Sequence, residues 1–127
     1  MRLVRLYDCL RDPTRLRLLH LLAQGPLCVC HFEAVLRVPQ ARISRHLAYL
    51  RRHGLVAAER RGPWRVYALA DPVPPALHAN LACLREAAAA GPEFARDLGR
   101  LARLDAGSGC DCPTPSVPRR RVLRLAR

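Results

Sequence analysis

The stretch from Leu27 to Gly54 restricts the possible folds of this chain more than any other part of the sequence. Within it, the apolar residues Ile43, Leu47 and Leu50 recur at spacings of four and three, as they do on the buried face of a helix. Gly54 follows the last turn and is a typical residue for ending a helix. The stretch therefore predicts a helix that buries one face and leaves a polar face free.

A shorter helix is predicted directly before it, from Cys28 to Leu36, with Val29, Phe32 and Leu36 facing inward. Residues 37–39 are then a tight connection between the two helices. Two helices joined in this way form a helix-turn-helix, whose second helix can enter the major groove of double-stranded DNA. The predicted DNA contacts on that helix are its polar positions: Gln40, Arg42, Ser44, Arg45, His46, Tyr49 and Arg52.

The pattern changes after Gly54 to two short strand candidates, Leu55 to Arg60 and Trp64 to Leu69. A Gly-Pro turn signal separates them, so they predict a β-hairpin, or wing. Trp64 and Tyr67 are expected to pack beneath this hairpin. Its basic residues can contact phosphate or the minor groove, and they are Arg60, Arg61 and Arg65.

Four motifs follow one another in an order that resembles a known family: Asp12 to Leu19, Leu27 to Cys30, Ile43 to Leu50, and Gly54 to Val56. They resemble the ArsR/SmtB family of metal-responsive winged-helix repressors, and most of all its arsenical-resistance members. The resemblance implies a mainly α-helical winged helix-turn-helix protein with a small β-hairpin, which binds operator DNA as a homodimer. It covers roughly the first two-thirds of the chain.

Charge supports a polyanionic partner. All 22 basic residues are arginines, against 10 acidic residues, and the formal net charge is +12. Residues 37–65 hold eight arginines and one acidic residue, Glu59. A solvated surface in an arginine-rich chain is the alternative explanation. Because the sequence has no apolar run of membrane-spanning length and no signal peptide pattern, we expect a cytoplasmic protein without a membrane partner.

The length of 127 residues suits one domain with a tail. We expect a DNA-binding and dimerisation domain over residues 1–92, a helical extension over 93–106, and a flexible tail over 107–127 that is rich in Pro and Arg. A helical apolar stripe of Leu77, Leu81 and Leu84 is a candidate dimer contact. The resemblance implies that this helix forms the dimer together with the first helix.

Cys28 and Cys30 are the candidate metal ligands. Soft thiolates prefer As(III) or Sb(III), or else a thiophilic divalent ion such as Cd(II) or Pb(II). Six cysteines in a reducing compartment are expected to be thiols rather than a disulfide framework. Residues two apart in a helix point about 200° away from each other, so both sulfurs are expected to bind one ion only if the first turn unwinds. That distortion would move the recognition helix and release DNA.

The arsenical-resistance pattern has an acidic residue before the cysteine pair, an Asp after it and a third Cys further on, and this chain has Pro26, His31 and Glu33 there. A third sulfur is therefore expected from Cys110 or Cys112, with Cys9 and Cys83 as the alternatives. If both Cys110 and Cys112 join, four sulfurs suit Cd(II), Pb(II) or Zn(II). His31 is expected at the surface or behind the ligands.

Three functions stay open from the residues alone. The first is a repressor that As(III) or Sb(III) releases from DNA, and the second is a repressor of the same fold that answers Cd(II) or Pb(II). The third is a thiol redox sensor in which Cys28 and Cys30, or the pair Cys110 and Cys112, oxidise. An enzyme is not expected, because the sequence has no Ser/His/Asp arrangement, phosphate loop or carboxylate pair.

Overall fold

A computed structural model of the chain describes residues 2–89 and 91–105, without the side chains of residues 88, 89 and 105. The predicted tail over 107–127 lies outside the described residues. Within the described residues, no helix combines the length and apolar character needed to cross a membrane. The elements in chain order are α1 Arg2–Leu10, α2 Pro13–Leu22, β1 Leu27–Cys28, α3 Val29–Leu36, α4 Gln40–Arg52, β2 Val56–Arg61, β3 Trp64–Leu69, α5 Pro75–Ala89 and α6 Pro92–Asp105.

The predicted helix-turn-helix is confirmed as α3 and α4. The α3 helix ends at Arg37, which adopts a left-handed conformation with φ 56° and donates its backbone N–H to the carbonyl of Glu33. The next helix starts only three residues later, at Gln40. The inward residues of α4 are fully buried, as the apolar spacing predicts: Ile43, Leu47 and Leu50. They pack in the same core as Phe32 of α3, so the two helices hold a fixed angle.

The wing is part of a three-stranded sheet rather than an isolated hairpin. The order of strands is β1-β3-β2, and both pairings are antiparallel. The two residues of β1 pair across to the wing, Leu27 with Tyr67 and Cys28 with Val66. Because side chains alternate along a strand, Tyr67 faces the main core while Val66 faces the other side of the sheet with Cys28.

Two predicted helix boundaries have the expected local chemistry. The side chain of Asp12 accepts a hydrogen bond from the backbone N–H of Arg15 at 3.1 Å, and Pro13 is the first residue of α2. Gly54 has φ +74°, a conformation that a side chain would strain, and it follows the C-cap residue of α4. The start of α2 and the end of α4 are therefore determined by neighbouring residues in the sequence.

The last helix, α6, packs against α2, α3 and α5. Asp97 of α6 is fully buried, and its two carboxylate oxygens accept hydrogen bonds from Arg17 of α2 at 2.8 Å each. Arg100 donates to the backbone carbonyl of Val35 in α3 at 3.0 Å, which satisfies a carbonyl of the last turn of α3. Polar contacts thus join α6 to α2 and to α3, the first helix of the helix-turn-helix.

Candidate thiolate cluster and nucleic-acid interface

The two cysteines of the Cys-Val-Cys motif lie on either side of the start of α3. Cys28 is the last residue of β1 and the N-cap of α3, with an extended backbone at φ −79° and ψ 160°. Cys30 is the second residue inside the helix. The local sequence explains this start, because Leu27 and Cys28 bury their side chains in the sheet before the apolar spacing of α3 begins.

The extended conformation of Cys28 changes the expected geometry of the site. The ligand atoms of Cys28, Cys30 and His31 all lie within 4.8 Å of one another. Two sulfurs bound to one tetrahedral ion through bonds of about 2.3 Å lie about 3.8 Å apart, so a shift of about 1 Å is enough. The prediction that the first turn must unwind is therefore wrong. It assumed that both cysteines are inside the helix.

His31 is buried rather than at the surface, with 5% of its area exposed. Its Nδ1 accepts a hydrogen bond from the backbone N–H of Cys28 at 3.1 Å, and the Cys28 sulfur faces the backbone N–H of His31. This reciprocal arrangement is a capping box, in which the residue three after the N-cap returns a hydrogen bond. The spacing of three between Cys28 and His31 is the sequence signal that could have identified this role.

The remaining cysteines differ in their surroundings. Cys9 is fully buried in the core, and burial raises the pKa of its thiol. Cys83 is exposed on α5. Neither joins the cluster of Cys28, Cys30 and His31 that the described residues form. Cys110 and Cys112 lie outside the described residues.

The oxidation state of Cys30 bears on what the cluster can bind. Cys30 is disulfide-bonded in the structure. A metal ion binds the thiolate form of cysteine, so coordination by the Cys30 sulfur requires the reduced side chain.

The polar face of α4 carries the predicted DNA contacts. Four of them are exposed on this helix: Gln40, Arg42, Arg45 and Arg52. The other three are partly buried: Ser44, His46 and Tyr49. The exposed set can reach phosphates and base edges without rearrangement, because its side chains already extend into solvent.

His46 and Tyr49 have neighbours inside the protein. The His46 side chain is 17% exposed, and its Nε2 lies 3.9 Å from the carboxylate of Asp12. Burial lowers the pKa of His46 and outweighs the opposing effect of Asp12, while nearby arginines lower it further. The guanidinium carbon of Arg15 lies 4.5 Å from the centre of the Tyr49 ring. These two residues therefore also hold α4 against α2.

Arg15 is a structural residue that the sequence did not single out. Its guanidinium donates to the backbone carbonyls of Asp8 and Cys9 at 2.8 Å, and one of its nitrogens lies 3.4 Å from Nδ1 of His46. One side chain thus connects the end of α1 to α4. Two of its partners, His46 and Tyr49, lie on the predicted polar face of α4.

The wing presents three exposed arginines. Arg60 of β2 stands directly opposite Arg65 of β3, and like charges in this position repel each other. Arg61 lies 3.6 Å from Glu59 in an exposed ion pair. Gly62 forms the turn at φ +61°. The positive charge of the wing tip is only partly neutralised by Glu59, so the wing is suited to an anionic partner.

Cys28 and Cys30 lie against the face of this wing that carries Val66. Cys28 and Val66 form a small apolar cluster, against which Cys30 and Trp64 pack. Trp64 is partly buried and Tyr67 is buried, as expected for residues that anchor the hairpin. The candidate thiolate site therefore touches the wing as well as the helix that leads to α4.

The predicted dimer stripe lies mostly inside the protomer. Leu77 is fully buried, Leu81 is 3% exposed and Leu84 is partly buried, all against the core of the same chain. A helical stripe looks the same in sequence whether it packs within one chain or between two. Among the described residues, the exposed large apolar side chains are instead on α1: Leu3, Val4 and Tyr7, at 47%, 54% and 52%.

Comparisons with known proteins identify what this arrangement resembles. A family model described as "Bacterial regulatory protein, arsR family" matches residues 12–58. The arsenic resistance transcriptional regulator ArsR1 of Pseudomonas putida is 45% identical over 69 residues, which cover 54% of each chain. The uncharacterized HTH-type transcriptional regulator MJ1325 of Methanocaldococcus jannaschii is 42% identical over 67 residues, covering 52% of this chain and 75% of that protein. The chain thus spans about half the length of the Pseudomonas relative.

A solved structure has the same fold. The transcriptional regulator HlyU from Vibrio vulnificus superposes with a TM-score of 0.59 at 30% identity, covering 65% of this chain and 83% of that one. The predicted winged helix-turn-helix class is confirmed by this likeness and by the observed elements. These relatives are regulators, which agrees with the prediction that the chain is not an enzyme.

Proposed function

We propose that this chain, which belongs to the ArsR family of bacterial regulatory proteins, is a transcriptional repressor that binds operator DNA as a homodimer. We further propose that As(III) or Sb(III) releases it by binding the thiolates of Cys28 and Cys30. The observation that carries the proposal is the closeness of these two side chains at the start of α3, beside the turn that leads to α4. The relative in Pseudomonas putida is named as an arsenic resistance regulator, which supports the choice of ion.

The donors fit a soft ion. Two sulfurs and one imidazole nitrogen lie within 4.8 Å of one another. Mg²⁺ and Ca²⁺ prefer oxygen ligands, so this donor set does not suit them. When bound, As(III) forms bonds to thiolate sulfur. A third sulfur for As(III) is proposed from Cys110 or Cys112, because neither Cys9 nor Cys83 is in the cluster.

Two connections link this cluster to the DNA-binding surface. The first is the α3 helix, which passes into α4 through residues 37–39. The second is the pairing of Cys28 with Val66, one residue from Arg65 of the wing. We propose that drawing the two sulfurs together, by at most about 1 Å, moves the start of α3 and the edge of the sheet at the same time. If the resulting conformation binds the ion more tightly than the DNA-bound conformation does, ion binding lowers the affinity for DNA.

We assign the DNA contacts by exposure. Arg42 and Arg45 of α4 are proposed to reach base edges, where a bidentate arginine contact with guanine discriminates between bases by about 1–3 kcal/mol. The wing arginines are proposed to contact phosphate, which adds affinity without base preference. Ser44, His46 and Tyr49 contribute from partly buried positions.

The homodimer is proposed to use α1. The exposed apolar residues of α1 are at positions 3, 4 and 7. One of them, Leu3, also lines an open pocket of about 690 Å³ between α1, the end of α4 and the start of α5. A second protomer would cover this apolar surface. Val4→Asp should therefore give folded monomers in sedimentation velocity, whereas Ala102→Asp on the exposed surface of α6 should stay dimeric. A dimeric Val4→Asp protein would place the contact elsewhere.

The decisive test is release of DNA by the ion. An operator duplex is first selected from a random pool by the reduced protein, and its complex is then titrated with As(III) while fluorescence anisotropy is measured. Wild type should be released, whereas Cys28→Ser and Cys30→Ser should bind the duplex and stay bound. Cys83→Ser is the matched control, because Cys83 is exposed and outside the cluster. Normal release of both Cys28→Ser and Cys30→Ser would refute the proposed sensor.

The source of the third sulfur needs a separate experiment. The double variant Cys110→Ser/Cys112→Ser keeps every arginine of the tail, so its affinity for DNA should be unchanged. Its release should require much more As(III) than that of wild type. Normal release would rule out a ligand from the tail.

Two other signals are alternatives within the same fold. Cd(II) or Pb(II) fits the soft donor set, and parallel titrations with these ions distinguish them from As(III). The disulfide at Cys30 favours a redox-sensing repressor as the second candidate. Release of the reduced complex by peroxide without any metal would support that candidate, and insensitivity to peroxide would exclude it.

A further inference from the structure

We infer that His31 has two mutually exclusive uses: it caps α3 in the metal-free protein and becomes the third ligand, with Cys28 and Cys30, when a divalent soft metal ion such as Cd(II) binds. The inference rests on the proposed thiolate site and adds a ligand and a class of ion to it. His31 is 5% exposed, and its side chain lies with both cysteine side chains inside 4.8 Å. A buried imidazole at this distance from two cysteine sulfurs completes a three-donor set for a tetrahedral metal once both cysteines are reduced.

The exclusion follows from the chemistry of the ring. Nδ1 of His31 accepts the N–H of Cys28 at 3.1 Å, so Nδ1 carries the lone pair and Nε2 carries the proton of the neutral ring. If Nδ1 binds the metal, its lone pair is no longer available to Cys28. If Nε2 binds the metal, the ring proton moves to Nδ1, which then cannot accept a hydrogen bond. Either nitrogen therefore gives up the cap when it becomes a ligand.

The step starts from the reduced chain, in which an added thiol reductant has opened the disulfide at Cys30 by thiol–disulfide exchange. The two thiols of Cys28 and Cys30 then each lose a proton to solvent when they bind the ion, and neutral His31 keeps its single proton. The backbone N–H of Cys28 loses its acceptor at the same time. The start of α3 is thus uncapped by coordination of a divalent metal.

As(III) should act differently at the same cysteines. It prefers sulfur donors, so its third ligand is a thiol and His31 stays on the Cys28 N–H. Two classes of ion that share Cys28 and Cys30 would then leave α3 in two different states, one uncapped and one capped.

A single substitution separates the two uses of His31. His31→Gln keeps an acceptor at the third helical position, where Gln commonly completes a capping box, but an amide is a poor ligand for a soft ion. His31→Ala removes both the acceptor and the ligand. Thermal unfolding of the metal-free proteins should therefore give His31→Gln a midpoint close to wild type and His31→Ala a lower one.

The test uses the reduced full-length chain without DNA, so it does not depend on repression. Cd(II) is titrated while the thiolate-to-metal absorption is recorded, and His31→Gln should bind about tenfold or more weakly than wild type. As(III) affinity should be the same in both proteins. Hydrogen exchange at the Cys28 amide should accelerate at least tenfold when wild type binds Cd(II), and should stay slow with As(III).

The outcomes are distinguishable from failure of the proposed function. If Cys28→Ser binds both ions as wild type does, the thiolate site itself is wrong. If the cysteines are required but His31→Gln binds Cd(II) with wild-type affinity, His31 is not a ligand. A Cys28 amide that stays protected in the Cd(II)-bound protein would overturn the exchange between cap and ligand.

Discussion

Arg17 and Asp97 form an ion pair, and removing Arg17 should lower the stability of the protein more than removing Asp97 does. Asp97 is fully buried and accepts two hydrogen bonds of 2.8 Å, whereas the Arg17 side chain is 23% exposed. Arg17→Ala leaves a buried carboxylate without its partner, so we expect a loss of about 3–5 kcal/mol in the free energy of unfolding. Asp97→Ala leaves a guanidinium that can turn to water, and the expected loss is about 1.5–3 kcal/mol.

Urea unfolding followed by far-UV circular dichroism measures both losses. The total stability of a domain of this size is about 5–15 kcal/mol, so both variants should still fold in water. The double variant Arg17→Leu/Asp97→Leu should lose less than Arg17→Ala, because no charge is left buried. Arg11→Ala is the matched control, since the Arg11–Asp8 pair has a distance of 3.8 Å and side chains 79% and 52% exposed. Equal losses in the two single alanine variants, or losses no larger than that of Arg11→Ala, would refute the argument.

Four further predictions concern pH, DNA and the sensor. Within the described part of the chain, Nδ1 of His20 is buried without a hydrogen-bond partner, so His20→Phe should raise stability by about 1 kcal/mol. Burial lowers the pKa of His20, so protonation of His20 favours the unfolded state. The free energy of unfolding of wild type should therefore be highest above pH about 6.5 and decrease as the pH drops below it. The free energy of unfolding of His20→Phe should depend less on pH. Arg45→Ala should reduce the difference in binding free energy between the selected and a scrambled duplex by about 1–3 kcal/mol. Arg61→Ala should weaken binding to both duplexes equally and make binding less dependent on salt. Trp64 is the single tryptophan and packs, as Cys30 does, against the cluster of Cys28 and Val66, so As(III) should change its fluorescence in wild type but not in Cys28→Ser.

Local signals in the sequence were sufficient for most of the fold. The spacing of Ile43, Leu47 and Leu50 predicts α4, and the Asp12-Pro13 pair predicts the start of α2, because both depend only on neighbouring residues. The hairpin follows from its turn signal. These features need no knowledge of what lies across the core.

The site could be predicted only in part, because its geometry depends on long-range pairing. The strand β1 has two residues, too few for an alternating pattern, and it exists because Leu27 and Cys28 pair with β3 nearly forty residues away in sequence. That pairing extends the backbone of Cys28, which brings its sulfur and the ring of His31 together. The role of Arg15 is equally hidden, since it depends on how α2 is placed between the end of α1 and α4.

The opposition of Arg60 and Arg65 makes the wing sensitive to its ionic surroundings in two opposite ways. Added salt screens the repulsion between the two guanidinium groups, so it favours the closed hairpin of the free protein. The same salt weakens binding to a duplex, because releasing counterions into more concentrated salt gains less entropy. Phosphates of a bound duplex would relieve the repulsion between the two arginines directly. We therefore expect DNA binding to stabilise further the hairpin that the protein already forms on its own.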